Sequence, residues 1–193
     1  MKNAEIDTAL FDRAAVFAVR AHAGTERRGK GFPYVIHQME AASIVATMTS
    51  DQELLAAAVL HDVVEDTSVT VDEIRDAFGG RVAALVAAES DRVIPEMTEH
   101  ESWFVRKQEA IDRLAAAPID VKTVALGDKL SNMRAIARDY AVLGDRLWDL
   151  FRIKDRESHA WHYRGLADSL VELSETAAYQ EFKHLVEQVF GTE

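Results

Sequence analysis

The stretch AAAVLHDVVEDTSVT, residues Ala56 to Thr70, sets His61, Asp62, Glu65 and Asp66 directly behind an apolar run. Upstream, Ser50 and Glu53 form a capping-box pattern that opens a helix. Leu54, Leu55 and Ala58 recur on one face of it, at the spacing of a buried stripe. His61 and Asp62 continue that face, and Glu65 and Asp66 extend it if the helix persists. Carboxylates on an inward face are costly unless they are paired or bound to a cation.

Two other segments repeat the pattern. In the helix expected from Val35 to Met48, Ala41, Ile44, Val45 and Met48 share a face, and His37 falls on it. In VKTVALGDKLSNMRAIAR, Val121, Val124 and Ala125 define an apolar stripe that also carries Asp128 and Asn132, with Lys122, Lys129 and Arg138 off it. Each position alone has a plain explanation. His37 reads as a core or helix-start histidine, Glu65 and Asp66 as a solvated helix end before Thr67 and Ser68, and Asp128 as the partner of a nearby arginine. Their coincidence on three inward faces points instead to a divalent ion held between helices.

The rest of the chain reads as helix almost throughout. Ala, Leu, Glu, Arg and Lys dominate, and there are three prolines in 193 residues to interrupt them. Helices are expected over Asp7–His22, from Thr70 (capping box with Glu73) to Gly79-Gly80, and over Val82–Glu89, Ser102–Ala116, Val121–Tyr140, Glu157–Leu173 and Ala177–Phe190. GTERRGKGFP and SDRVIPEMTEHE read as loops, and no stretch alternates with a period of two. The expected class is a compact all-α bundle forming one domain over residues 1–193.

Composition narrows the partners. With 48% hydrophobic and 28% charged residues the chain is globular, and no apolar run approaches the roughly 18 residues of a membrane span. MKNAEIDTALFDR lacks a signal-peptide core, and there is no cysteine for disulfide or thiolate chemistry. A cytoplasmic protein is expected, with no membrane contact and no obligate protein partner. The net charge of −11 disfavours nucleic acid, whose binding depends on neutralising phosphates, while leaving room for a small anion in a local basic pocket.

Three segments taken together, RRGKGFPYVIHQ, LHDVVEDT and GDKLSNMRAI, resemble the HD-domain metal-dependent phosphohydrolases. Within them the chain is most similar to the hydrolase domain of RelA/SpoT-type enzymes and to the small alarmone hydrolases. The family's motifs are a basic loop before PYIxHP, then LHDxxEDT, then DKLxNxR. The match covers about residues 11–140, and the helices of 141–193 match loosely. The resemblance implies metal ligands at His37, His61, Asp62 and Asp128, with Mn²⁺ as the expected ion and Fe²⁺, Zn²⁺ or Mg²⁺ left open by the mixed donors. It implies that Glu65 and Asp66 position and activate water, that Asn132 meets the nucleotide sugar, and that Arg28 stacks on the base.

Arg27, Arg28, Lys30, Arg106 and Lys107 are candidates for an anion-binding rim. VRKQEAIDR also fits a solvated helix face; Arg106 is read that way and Lys107 as substrate-binding. Around Trp161, His162 and Tyr163 core packing competes with a role in closing the pocket, for which Tyr163 is the candidate. The chain departs from the family at Gln38 (usually Pro), Gly29, Ser131, Ala135 and AAESDRV. None of these is a ligand position, and several lie where a nucleotide would bind. The expected activity is hydrolysis of guanosine 3′,5′-bis(diphosphate), without synthetase activity. The alternatives are another nucleotide, such as NADPH or a dNTP, or a non-catalytic nucleotide sensor, which the Glu65-Asp66 pair disfavours.

Overall fold

In a computed structural model of the chain, residues 7–27, 29–90 and 99–191 are described. They form α1 (Ala9–Ala21), α2 (Val35–Val45), α3 (Gln52–Leu60), α4 (Val63–Asp66), α5 (Val71–Phe78), α6 (Gly80–Glu89), α7 (Glu99–Ala115), α8 (Ile119–Leu143), α9 (Arg156–Ser169) and α10 (Ala177–Phe190). Short 3-10 helices follow α8, at Gly144–Leu150, and α9, at Val171–Leu173. Among the described residues there is no strand, only one bridge between Glu26 and Pro33 that folds the basic loop back on itself. Arg28 and residues 91–98 of the SDRVIPEMTEHE segment lie outside the described residues. The end of that segment, expected as loop, is helical from Glu99.

Two apolar clusters meet along α2 and α8. One gathers Ala18, Leu54, Leu60, Ile74, Phe78 and Val82 from α1, α3, α5 and α6. The other gathers Leu130, Trp148, Leu166, Phe182 and Phe190 from α8 to α10. Ile44 of α2 packs in the second cluster and Val45 in the first. Gly127 sets the α2–α8 separation: a Cβ there would lie 2.7 Å from Val45 Cγ2 and 2.8 Å from the Ala41 carbonyl oxygen. Only glycine allows that approach, and it brings His37 opposite Asp128 on the next residue of α8.

α3 packs against α1, α2, α6 and α8, so residues Ala56 to Leu60 are all buried rather than a single stripe. α8 is enclosed in the same way. Lys122, expected on the outer side of the helix, is 2% exposed. Its Nζ donates to the Ala115 carbonyl at 3.0 Å and to Glu172 at 2.6 Å, which satisfies the charge that burial would otherwise strand.

Helix ends differ from expectation for local reasons. The cap of α3 is Asp51, not Ser50: its carboxylate accepts the Glu53 N–H at 2.9 Å. Arg81 grips both Asp51 and Glu53, so Glu53 is not available to close a box with Ser50. The Thr70–Glu73 capping box is formed as expected, and Gly79 at φ 95° ends α5 and turns the chain into α6. α2 stops at Val45 because the next turn tightens, with Thr47 N–H and hydroxyl both bonding the Ile44 carbonyl. α9 starts from Asp155, which accepts the Ser158 N–H at 2.8 Å, and ends at Ser169, short of Leu173.

Candidate metal centre

Three helices deliver the cluster. His37 comes from the first turn of α2, His61 and Asp62 from the break between α3 and α4, and Asp128 from the middle of α8. Ligand atoms of His37, His61 and Asp128 lie within 4.8 Å of one another, all three residues buried. His37 Nε2 is 3.0 Å from Asp128 Oδ1 and 3.6 Å from Asp62 Oδ2. His61 Nε2 is 2.9 Å from Asp62 Oδ2 and 3.5 Å from Asp128 Oδ1.

The surroundings fix the tautomers. His61 Nδ1 is 2.8 Å from the Ala58 carbonyl, which can only accept, so the proton sits on Nδ1. Ser131 donates its hydroxyl hydrogen to Glu40 at 2.7 Å and therefore accepts from His37 Nδ1 at 2.7 Å. Both imidazoles thus turn an Nε2 lone pair towards two carboxylates, the arrangement in which an outer hydrogen bond orients a metal-binding histidine. His61 Nε2 is buried and has no hydrogen-bond partner. Converging lone pairs of this kind call for a cation, and two nitrogens with two carboxylates suit Mn, Fe or Zn. The residues present therefore fit a divalent ion.

Electrostatics agree. Burial opposes a charged His61, yet Asp62 and Asp128 hold its pKa well above the usual imidazole value. Burial would likewise raise Asp128, but Lys129 and the two histidines keep it well below the carboxylate range. Lys129, expected off the inward face, donates to Asp128 Oδ2 at 2.5 Å and reaches Glu89 at 3.5 Å. Burial pushes the Glu89 carboxyl up, with Lys129 opposing it. Neither Glu89 nor the inward role of Lys129 was signalled by the apolar stripes.

The expected water-activating pair divides. Glu65 lines a cavity of about 600 Å³ together with the cluster, and Asp66 does not. Asp66 instead faces Tyr34 and His22, and burial and Asp62 push its carboxyl up. Tyr34 donates to Asp62 Oδ2 at 2.8 Å, stacks on His22 with ring centres 5.0 Å apart, and lies under the Arg27 guanidinium at 6.0 Å. Gln38, in place of the family's proline, is fully buried with its amide nitrogen 2.9 Å from His22 Nε2.

A second cavity of about 920 Å³ adjoins the first and shares Tyr34, Trp103, Asn132, Phe151, His159 and Tyr163 with it. Asn132 bridges the two: its amide donates to Asp128 Oδ1 at 2.6 Å and its oxygen accepts from Arg27 at 2.8 Å. Lys30 lines the second cavity and pairs with Asp139. Lys107 lines the first, and Tyr163 lines both. His162, weighed as core, also lines the first cavity. Arg106, read as a solvated helix residue, lines the second. Arg28 falls outside the described residues; the neighbouring Arg27 is the arginine that meets Asn132.

An all-α bundle with a buried His/His/Asp cluster opening onto paired cavities is the architecture of a metal-site helical domain. The chain belongs to the HD domain family, whose profile matches residues 14–151. It is similar to the GTP pyrophosphokinase rsh of Brucella ovis, 34% identical over 134 residues, or 68% of this chain and 18% of that protein. The chain thus spans about a fifth of the length of that relative. It is also similar to the human guanosine-3′,5′-bis(diphosphate) 3′-pyrophosphohydrolase MESH1, 34% identical over 136 residues, 68% of this chain and 72% of the human protein. Its fold is that of the structure described as "A metazoan ortholog of SpoT hydrolyzes ppGpp and plays a role in starvation responses". The TM-score is 0.77 at 23% identity, covering 98% of this chain and 100% of the other.

Proposed function

We propose that this chain is a Mn²⁺-dependent guanosine 3′,5′-bis(diphosphate) 3′-pyrophosphohydrolase, with His37, His61, Asp62 and Asp128 as metal ligands. The observation that carries this reading is the buried, partnerless Nε2 of His61 among two carboxylates and a second imidazole, at the wall of a cavity large enough for a nucleotide. The human relative named for this activity, matched over 72% of its length, supports the substrate.

Bound there, the ion would supply Lewis acidity and lower the pKa of a water. Glu65, on the cavity wall beside the cluster, is the base placed to accept a proton from the attacking water. The water oxygen bonds to the phosphorus carried by the ribose 3′ oxygen, and the bond from that phosphorus to the ribose breaks. The electron pair goes to the 3′ oxygen, which takes up a proton, and the products are GDP and pyrophosphate. Asn132 holds the ribose beside the cluster, and Arg27, with Lys30 further out, faces the nucleoside side of the substrate. Tyr34, in the wall of both cavities, fixes Asp62 through its hydroxyl, and Asp66 acts through Tyr34. A nucleotide substrate supports a cytoplasmic location; no described helix is long and apolar enough to cross a membrane.

The test is a comparison of kcat/KM for ppGpp, NADPH and a dNTP panel with Mn²⁺, the products identified by chromatography. The proposal expects ppGpp to lead. A preference for another nucleotide by more than about tenfold, ~1.4 kcal/mol of transition-state discrimination, would overturn the alarmone assignment and leave a metal phosphohydrolase.

A further inference from the structure

The metal-side cavity has two chemically unlike walls. The cluster, Glu65 and Glu89 form one of them. Facing it, α7 presents Lys107, Ala110 and Arg113 at intervals of three residues, so all three lie along one face of the helix. Ala110 between the two cations leaves room rather than filling it. Arg113 is exposed at the edge of this wall, and its guanidinium reaches the Ser90 carbonyl at 3.5 Å.

A second observation comes from α9. His162 lines the same cavity, and its Nδ1 is buried without a hydrogen-bond partner. Burial first, then the facing charges of Lys107 and Lys129, hold this imidazole well below its usual pKa. A neutral imidazole keeps one N–H to donate and one lone pair, and it sits here among cations in a chain whose net charge is −11. Cations gathered against the general charge of a protein, beside a polar atom lacking a partner, mark a place for an anion.

The cavity also exceeds what the reacting phosphorus needs. A volume of about 600 Å³ is that of a small-molecule site, and the cluster occupies only one side of it. A phosphate at the cluster would leave the space in front of Lys107 and Arg113 for a second, covalently attached phosphate. Nucleoside-side groups have the adjoining 920 Å³ cavity for themselves.

We infer that Lys107 and Arg113 hold the terminal phosphate of a diphosphate at the reacting end of the substrate, and so select a diphosphate over a monophosphate there. This rests on the pyrophosphohydrolase reading and adds the residues that measure the length of the phosphate chain. Lys107 and Arg113 act as specificity residues in binding, and His162 lies between them and the cluster side as a further donor.

The test uses inorganic pyrophosphate and orthophosphate as probes of the full chain loaded with Mn²⁺, the metal kept in excess so that chelation does not strip the site. Binding is read by calorimetry, and inhibition of ppGpp turnover is read in parallel. Pyrophosphate is expected to bind at least about tenfold more tightly than orthophosphate, as one or two additional charge-assisted hydrogen bonds provide. Lys107→Gln with Arg113→Gln should remove most of that ratio, leaving orthophosphate and Mn²⁺ affinity within about twofold, whereas Lys30→Gln should preserve it. Arg113→Gln alone changes an exposed side chain and should lower the ratio by severalfold in a protein whose circular dichroism is unchanged. A ratio near one in the wild type, or one that the double variant retains, overturns the inference. Absent ppGpp turnover with the pyrophosphate preference intact and lost in the variants would refute the alarmone reading alone.

Discussion

At the scale of single residues, the site depends on a small number of atoms whose hydrogen-bond partners leave them one role each. Glu65 and Asp66 adjoin in sequence, but only Glu65 faces the reacting cavity. Glu65→Gln should therefore lower kcat by roughly two to four orders of magnitude with Mn²⁺ affinity retained, and Asp66→Asn should cost less; equal losses in steady-state assays would show that the two act as one unit. His61 gives a pH signature. Asp62 and Asp128 raise its pKa above the imidazole value against the opposing effect of burial, so a proton competes with a metal ion for the Nε2 lone pair. A metal ion needs that lone pair and displaces the proton. Mn²⁺ affinity should then climb by up to about tenfold per pH unit from neutrality and level off above the raised pKa. Calorimetry in buffers of different ionisation enthalpy should report the released proton, and a pH-independent affinity without proton release would contradict that competition at Nε2. The polar positions of three helices, His37, His61 and Asp128, were legible because each interrupts an apolar spacing. Tyr34, Glu89 and Lys129 were not, since nothing in a helical period says which flanking tyrosine, glutamate or lysine turns inward.

At the scale of the element, α2 and α8 carry the geometry. Gly127 lets the Ala41 carbonyl approach α8 where a Cβ would be only 2.8 Å away. A backbone atom cannot rotate aside, so Gly127→Ala must push the helices apart. We expect a loss of roughly 1–3 kcal/mol in denaturant unfolding together with weaker Mn²⁺ binding, because His37 and Asp128 separate along with their helices. Wild-type stability in this variant would contradict that role. The helices themselves were legible, with Ala177–Phe190 expected and found to the residue. Lys122 went astray because a stripe argument assumes one buried side. α8 packs against α2, α3, α6 and α10, so residues beside the stripe are covered as well. The Ser50 cap shifted to Asp51 for a reason 28 residues away in sequence, the Arg81 contact to Glu53.

For the whole molecule, the two apolar clusters are joined through α2 and α8, and the metal cluster lies where they meet. The single-domain reading of residues 1–193 accordingly predicts one cooperative unfolding transition, with calorimetric and van't Hoff enthalpies equal; two separated transitions would divide it. The pairing of the two cavities could not be read from sequence, because their shared wall draws on Tyr34, Trp103, Asn132 and Tyr163, which are far apart along the chain. What the molecule does with that space is tested most directly by turning over ppGpp with Mn²⁺ in heavy-oxygen water and identifying the products by mass spectrometry. The account predicts GDP without label and pyrophosphate carrying one heavy oxygen, since water attacks the phosphorus and the ribose keeps its own oxygen. Label in the nucleoside, release of orthophosphate in place of pyrophosphate, or unreacted ppGpp would contradict it.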